Sequence, residues 1–268
     1  MKLFISIIAV LLSVNFAIGR NASIDNNYPK GKLKKITTYS SQQKDNIISV
    51  TKFSYNKKGF KDTVYNYIND TNIVFSCLAY EYYGNMVKSE KYFLNQAGKL
   101  NHKYSENYYY SENNLLTQKE HVIASTSKIL TRGIYNNKEG RLVFEKTEQL
   151  DPYGIVNQVQ HTYDSKGNEV ETRYFNEEGE IVSTVKHTYL NQYLISDNIY
   201  EAGKEYPKVI IYSYDTQNRL LEKNILVGTK KFLLLKNKYN NNGIAESLKY
   251  TYDDGGYDFD SLEVYEYY

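Results

Sequence analysis

HTYDSKGNEVETRYFNEEGEIVSTVKHTYLNQY, from His161 to Tyr193, states the rule that the rest of the chain repeats. An alternating run ends at Tyr163-Asp164, turns through Ser165-Lys166-Gly167, alternates again to Tyr174, turns through Asn176-Glu177-Glu178-Gly179, and alternates back to His187-Thr188-Tyr189. Alternation with period two sends successive side chains to opposite faces, as a half-buried strand requires. Ile181, Ser183, Val185, His187 and Tyr189 share one face, with Val182, Thr184, Lys186 and Thr188 on the other. Gly or Asn at each break supplies the backbone freedom of a tight turn. The stretch reads as strand, turn, strand, turn, strand.

The same punctuation runs outward in both directions. It falls at Gly59, Asn69 to Asn72, Gly84, Gly98, Asn113-Asn114, Ser125 to Ser127, Gly140, Gly154, Gly167, Gly179, Asn191, Gly203, Asn218, Gly228, Gly243 and Gly255-Gly256, about 13 residues apart. One step is a strand plus a turn, so two steps make a hairpin of about 25 residues. The runs between marks are short and rich in β-branched and aromatic residues, and none carries an apolar recurrence at helical spacing; Gln217 to Leu226 comes nearest, and its surroundings favour a strand. The expected fold is all-β: an antiparallel meander of about sixteen short strands forming one twisted or partly wound repeat sheet. It occupies one domain over 36–268, after a flexible lead-in over 20–35.

The amino terminus gives an address. Met1-Lys2, an apolar run from Leu3 to Val14, and small residues at Ala17-Ile18-Gly19 have the layout of a cleavable export signal over 1–19. That run is too short for a membrane-spanning helix, and nothing later is more apolar. A secreted, periplasmic or cell-surface protein without a transmembrane helix is expected. Net charge is +2, from 33 basic and 31 acidic side chains, so no global field favours nucleic acid. Cys77 is the single cysteine, so no intramolecular disulfide can form, and its apolar setting NIVFSCLAY predicts a buried, inert thiol. The 30 Tyr beside no Trp suit a pleated surface where a ring packs and a hydroxyl stays wet. Asn21-Ala22-Ser23 and Asn69-Asp70-Thr71 match the N-glycosylation acceptor pattern, which an Asn-rich chain also produces by chance.

HTYDSKGNEVETRYF (His161 to Phe175), YSYDTQNRLLEKN (Tyr212 to Asn224) and YTYDDGG (Tyr250 to Gly256) carry Tyr-Asp into a Gly or Asn turn. FSYNKKGF (Phe53 to Phe60) and NKYNNNGI (Asn237 to Ile244) do so with Asn for Asp, and IYNNKEGRL (Ile134 to Leu142) with one extra turn residue. The pattern resembles the YD repeat of Rhs-type secreted proteins, of which this chain looks like a short member without a toxin domain. The resemblance implies a strip of antiparallel sheet that winds into a spiral or shell. There is a physical reason for the pair: Asp accepts from backbone N–H groups beyond it and starts the turn, while Tyr packs on the next strand.

Few residues point to chemistry. His161 and His187 occupy the same HTY place two turns apart, so they can lie near each other on one face; two ligands without a third make a poor metal site. Asp253, Asp254, Asp258 and Asp260 around Gly255-Gly256 form the best cation candidate, for calcium, although their order matches neither common calcium loop. Glu177, Glu178 and Glu180 offer a carboxylate pair for sugar hydrolysis but sit on an expected exposed turn. Tyr108, Tyr109 and Tyr110 are the candidate ligand-binding row, able to stack on sugar rings or grip a protein. No cofactor motif and no catalytic residue is assigned. The expectation is a non-enzymatic exported repeat protein that presents a Tyr-rich sheet for binding or scaffolding at the cell envelope, with polysaccharide or a surface protein as partner. An outer-membrane β-barrel is the second reading and a surface glycan hydrolase the third.

Overall fold

The Asp and Asn of the Tyr-Asp and Tyr-Asn pairs start the turns as their chemistry predicts, whereas the Tyr before each reaches back to the preceding strand instead of packing on the next one. In the computed structural model, which describes residues 32–69, 73–150, 153–253 and 256–268, Asp164 Oδ1 accepts from the backbone N–H groups of Lys166 (2.9 Å) and Asn168 (2.8 Å). Asp215 takes Gln217 and Arg219 in the same way, and Asn56 takes Lys58 and Phe60. The residue that closes each of these turns has positive φ: Gly167 at 90°, Asn218 at 62°, Gly59 at 85°. That conformation is why Gly or Asn stands there.

The tyrosine before the turn is a latch. Tyr163 Oη donates to the Leu142 carbonyl (2.8 Å), at the start of the preceding strand. The bond recurs from Tyr55 to Leu33, Tyr110 to Val87, Tyr214 to Leu194 and Tyr239 to Leu220, at 2.6 to 2.9 Å. A register shift sits at the same place in every hairpin of this end, beside Tyr55, Tyr82, Tyr110, Asn137, Tyr163, Tyr189, Tyr214 and Tyr239, in steps of 25 to 28 residues. Bulges raise local twist and bend the sheet.

Repeated bending takes the sheet round on itself. Among the described residues eighteen strands follow in order: β1 (Leu33–Tyr39), β2 (Ile47–Tyr55), β3 (Lys61–Ile68), β4 (Val74–Tyr83), β5 (Met86–Gln96), β6 (Lys99–Tyr110), β7 (Leu116–Ile123), β8 (Lys128–Lys138), β9 (Arg141–Leu150), β10 (Tyr153–Tyr163), β11 (Glu169–Phe175), β12 (Ile181–Leu190), β13 (Tyr193–Glu201), β14 (Lys208–Tyr214), β15 (Leu220–Val227), β16 (Lys230–Asn240), β17 (Gly243–Asp253) and β18 (Gly256–Tyr267). Each pairs antiparallel with its neighbours in the chain, and β1 pairs with both β2 and β18. The sheet is therefore a closed β-barrel, not the open or partly wound strip expected from the sequence. Closure removes the two edges that an open strip would leave unpaired.

The strand count also differs from about sixteen. The first turn, Ser40 to Asn46, contains no Gly; Lys44 takes the positive φ of 60° there, so the β1–β2 hairpin carries no punctuation. Gly154, expected as a turn mark, is the second residue of β10 and pairs with Gln149. β1 begins at Leu33, inside the span read as lead-in, and the signal residues 1–19 lie outside the described part.

The seam is fastened at both ends. At one, the β1–β2 turn reaches across β18 to β17: Gln42 Nε2 donates to Tyr250 Oη (2.7 Å) and Lys44 Nζ meets Glu246 Oε1 (2.5 Å), with Leu262 of β18 only 2% exposed. At the other, the Tyr268 backbone N–H donates to the Lys32 carbonyl (2.9 Å), and its ring stands edge-on to Tyr55 at 6.3 Å, one strand beyond β1.

Two outcomes follow. Tyr163→Phe removes one latch without changing shape and is expected to lower the unfolding free energy by about 1 kcal/mol, read from urea denaturation. Gln42→Ala with Lys44→Ala loosens the seam, so amide hydrogen exchange should quicken in β1 and β18 while β10 to β12 keep their protection; uniform quickening would show that the turn does not act locally.

Candidate functional site

Burial shows which face of the sheet points inward. Along β10, Val159 and His161 are 1% and 6% exposed, whereas Gln160 and Thr162 are exposed. A closed barrel converges the side chains of its inner face, so Val159 and His161 face the lumen. The register carries this assignment round the wall: His161 stands opposite Thr172, Tyr135 opposite Glu145, Tyr80 opposite Glu90, and His187 opposite Asp197.

The inner face holds a belt of linked polar groups. His161 Nδ1 lies 2.8 Å from Glu169 Oε1, and Thr172 Oγ1 donates to the same carboxylate oxygen. His187 Nε2 lies 3.1 Å from Thr172 Oγ1, and its Nδ1 is 2.7 Å from Asp197 Oδ1. Asp197 Oδ2 accepts from Tyr212 Oη at 2.6 Å. Further round, His121 Nδ1 is 2.8 Å from Glu106 Oε1, and Lys119 lies 3.4 Å from that carboxylate. Tyr108 hydrogen-bonds Glu90, whose carboxyl burial pushes above the usual range. Gly133 belongs to this layer, with the Tyr135 ring lying over it so closely that a Cβ would meet the ring at 3.0 to 3.3 Å.

His161 is the most constrained member. Its side chain is 3% exposed, and Nε2 lies 3.7 Å from Glu145 Oε1, a charge contact rather than a hydrogen bond. Burial alone would push its pKa down, but the carboxylates of Glu145 and Glu169 on either side outweigh that and hold it at about 9. A folded-state value above the ordinary 6.5 stabilises the fold below about pH 6.5, and that contribution is lost as pH rises through about 9. The stability gap between the natural protein and His161→Gln, read from urea denaturation, should therefore shrink between pH 6.5 and 9.5, by up to about 3 kcal/mol. An unchanged gap would show that folding does not raise the imidazole's pKa.

The outer face is charged. Glu81 pairs with Lys91, Glu120 with Arg132 (3.2 Å), Lys146 with Glu148 (2.8 Å), Glu171 with Arg173 (2.7 Å), Glu222 with Lys236 (2.9 Å) and Glu246 with Lys238 (2.9 Å). These pairs recur from β4 round to β17. A shallow open depression between β11 and β13 is lined by Arg173, Thr184, Lys186 and Tyr200.

No family model matches this chain. No curated protein matches it either. Among solved structures, the chain is similar to a porin-like protein from Bacteroides uniformis (9% identity, 90% of this chain and 100% of that one, TM-score 0.46). A porin-like protein from Bacteroides vulgatus gives 11% identity, 89% and 99% coverage and a TM-score of 0.38. The TcdB2-TccC3-Cdc42 structure gives 10% identity and a TM-score of 0.40; 77% of this chain is covered, and it spans 14% of that chain's length. At these distances the site is read from its own residues, and the YD-repeat likeness remains one of motif.

The residues singled out from the sequence are placed as follows. Tyr108 and Tyr110 point inward and Tyr109 outward, where it is 44% exposed and donates to Glu120 Oε2 (2.9 Å); strand alternation splits the three. Asp258 and Asp260 stand exposed on β18, while Asp254 and the side chain of Asp253 lie outside the described residues. Among the described residues no three His, Cys, Asp or Glu are grouped to hold a metal ion. Glu177, Glu178 and Glu180 are exposed at the β11–β12 turn. Cys77 is 5% exposed, and burial pushes its thiol pKa up. His161 and His187 do come together, through Glu169 and Thr172. Glu145, Glu169, Thr172 and Asp197 were not signalled, although folding the hairpin about residues 166 and 167 places 161 opposite 172.

Proposed function

We propose that the mature protein is an exported, non-enzymatic β-barrel that stands in water and presents its outer wall for binding or scaffolding at the cell envelope. The observation that carries this is the charged outer wall: ion pairs from β4 to β17 suit solvent, and the inner layer of Tyr, His and carboxylates closes the barrel from within. Tyr109 and Tyr200, both outward and exposed beside polar neighbours, offer the sheet surface for a polysaccharide or a surface protein. Export rests on the layout of Met1 to Gly19. No cofactor and no catalytic residue enter this reading.

A barrel spanning the outer membrane is the second reading, and closure of an even number of antiparallel strands favours it. Against it, each Lys or Arg facing lipid at mid-depth costs about 2–4 kcal/mol, and the outer wall carries several. No helix among the described residues is long and apolar enough to cross a membrane, which leaves strands out of account.

Extraction separates the two. The mature protein is expected in the soluble fraction without detergent, with gel mobility unaffected by heating; recovery only in detergent, with heat-modifiable mobility, would establish the spanning barrel. On a glycan array the soluble protein should bind, and Tyr109→Ser should weaken the signal severalfold. Release of reducing ends by the same preparation would favour the hydrolase instead.

A further inference from the structure

The register lays six side chains of the outer wall in two ranks across β11, β12 and β13. Arg173, Thr184 and Tyr200 stand opposite one another in one rank, and Glu171, Lys186 and Asn198 in the next. Neighbouring strands lie roughly 5 Å apart, so the backbones of Arg173 and Tyr200 flank the short Thr184 at a separation of roughly 10 Å. The result is an open depression of about 400 Å³, lined by Glu171, Arg173, Thr184, Lys186 and Tyr200 and bounded by Ile181 towards the β11–β12 turn. Tyr200 is 43% and Ile181 47% exposed, so a ligand entering here meets an aromatic ring and an apolar side chain.

The charge of this depression is unbalanced. Glu171 stands directly opposite Lys186 but is taken by Arg173 of its own strand, Nη2 to Oε1 at 2.7 Å. Lys186 makes no ion pair among the described residues, and its ammonium lies 5.4 Å from the centre of the Tyr200 ring. Two cations thus share one carboxylate. The guanidinium also keeps N–H groups that one contact with Glu171 does not use. Elsewhere on the wall Lys91, Arg132, Lys146 and Lys236 each hold a carboxylate of their own. Tyr109, also outward and exposed, has its hydroxyl on Glu120, which Arg132 already neutralises.

We infer that this depression binds an acidic polysaccharide by seating one of its uronic-acid units. A pyranose set over Thr184 puts its apolar face against the Tyr200 ring and its carboxylate between Lys186 and the free edge of Arg173. Thr184 and Asn198 supply polar groups for the ring hydroxyls. A neutral glycan would leave both cations unused, and an acidic peptide would leave the exposed ring and Ile181 without a partner. Glu177, Glu178 and Glu180 crown the turn beyond Ile181, so the acid group enters pointing away from them, towards Arg173 and Lys186. The inference rests on the glycan-binding reading of the outer wall and names the class of glycan.

Isothermal titration of the mature protein, in low salt and without detergent, tests it with polygalacturonate and with the same polymer reduced at its carboxyl groups. Polygalacturonate is expected to bind, and the reduced polymer to bind about tenfold more weakly. Arg173→Gln with Lys186→Gln should weaken polygalacturonate binding about tenfold and leave the reduced polymer unchanged, while Tyr200→Ser should weaken both severalfold. Lys236→Gln with Lys238→Gln removes equal charge elsewhere on the wall and should weaken neither. Thr184→Tyr fills the depression without changing charge and should abolish binding; the urea midpoint of each variant identifies any that fails to fold. Equal affinity for the reduced polymer, indifference to the Arg173 and Lys186 changes, or an equal loss with the Lys236 and Lys238 changes would overturn the proposal. So would displacement by poly-L-glutamate at the same concentration, which would make an acidic peptide the partner. A protein that binds neutral glycans on the array but no polygalacturonate keeps the glycan-binding reading and refutes this site. One that binds no glycan refutes both, and one recovered only in detergent refutes the water-facing wall itself.

Discussion

The hydrogen-bonded pairing of the first strand with the last is the constraint on which the other features depend. A meander of eighteen strands can be drawn flat, but it then exposes two edges of unpaired backbone groups. Joining them requires the sheet to turn through a full circle, and the recurring bulges beside the terminal tyrosines supply bending at each hairpin. Once the circle is closed, one face of every strand is committed to the inside, and whatever alternates onto that face must pack or pair there.

What alternates onto it is largely polar. Among the described residues the buried hydrophobic side chains are few: Val50, Val64, Cys77, Val159, Ile225 and Leu262. The inner layer is instead built from tyrosine rings, imidazoles and carboxylates, each of which costs free energy if left without a partner. Thr172 illustrates the demand, since it has no solvent exposure and lies between Glu169 and His187. A layer of this kind stabilises less per unit area than aliphatic packing but fixes register tightly, because a one-residue slip would break the linked pairs and turn them outward. The buried histidines thus belong to the material that closes the barrel from within.

Strands, turns and the part of Asp in the Tyr-Asp pair were legible in the sequence because they are local: period-two alternation, a carboxylate that accepts from nearby N–H groups, and Gly or Asn at positive φ; the tyrosine's partner, a carbonyl on the preceding strand, was not. The first hairpin escaped because a lysine, Lys44, takes the conformation that Gly marks elsewhere. Closure escaped for a different reason. Nothing in LKKITTY names VYEY as its partner; the pairing is set by total bending over the whole chain, which no window contains. In the candidate site, the shared HTY setting rightly suggested that His161 and His187 lie close, but their carboxylate partners sit mid-strand, outside the turns where acidic residues draw the eye. Tyr108 to Tyr110 could have been divided at once by the rule that found the strands, since consecutive residues of a strand face opposite ways.

The terminal tyrosines Tyr55, Tyr110, Tyr163, Tyr214 and Tyr239 each fasten their strand to the one before it, and the turns after Tyr55, Tyr163 and Tyr214 are closed by their own Asn or Asp. The unit is therefore self-sufficient apart from its two flanks, and no hairpin recognises how many others share the ring. Duplication or loss of one such unit in the gene would leave every remaining local bond intact and change the girth by two strands. Circumference in a wall of this kind is a quantity that evolution can adjust by whole-number steps, without redesigning the curvature of any single part.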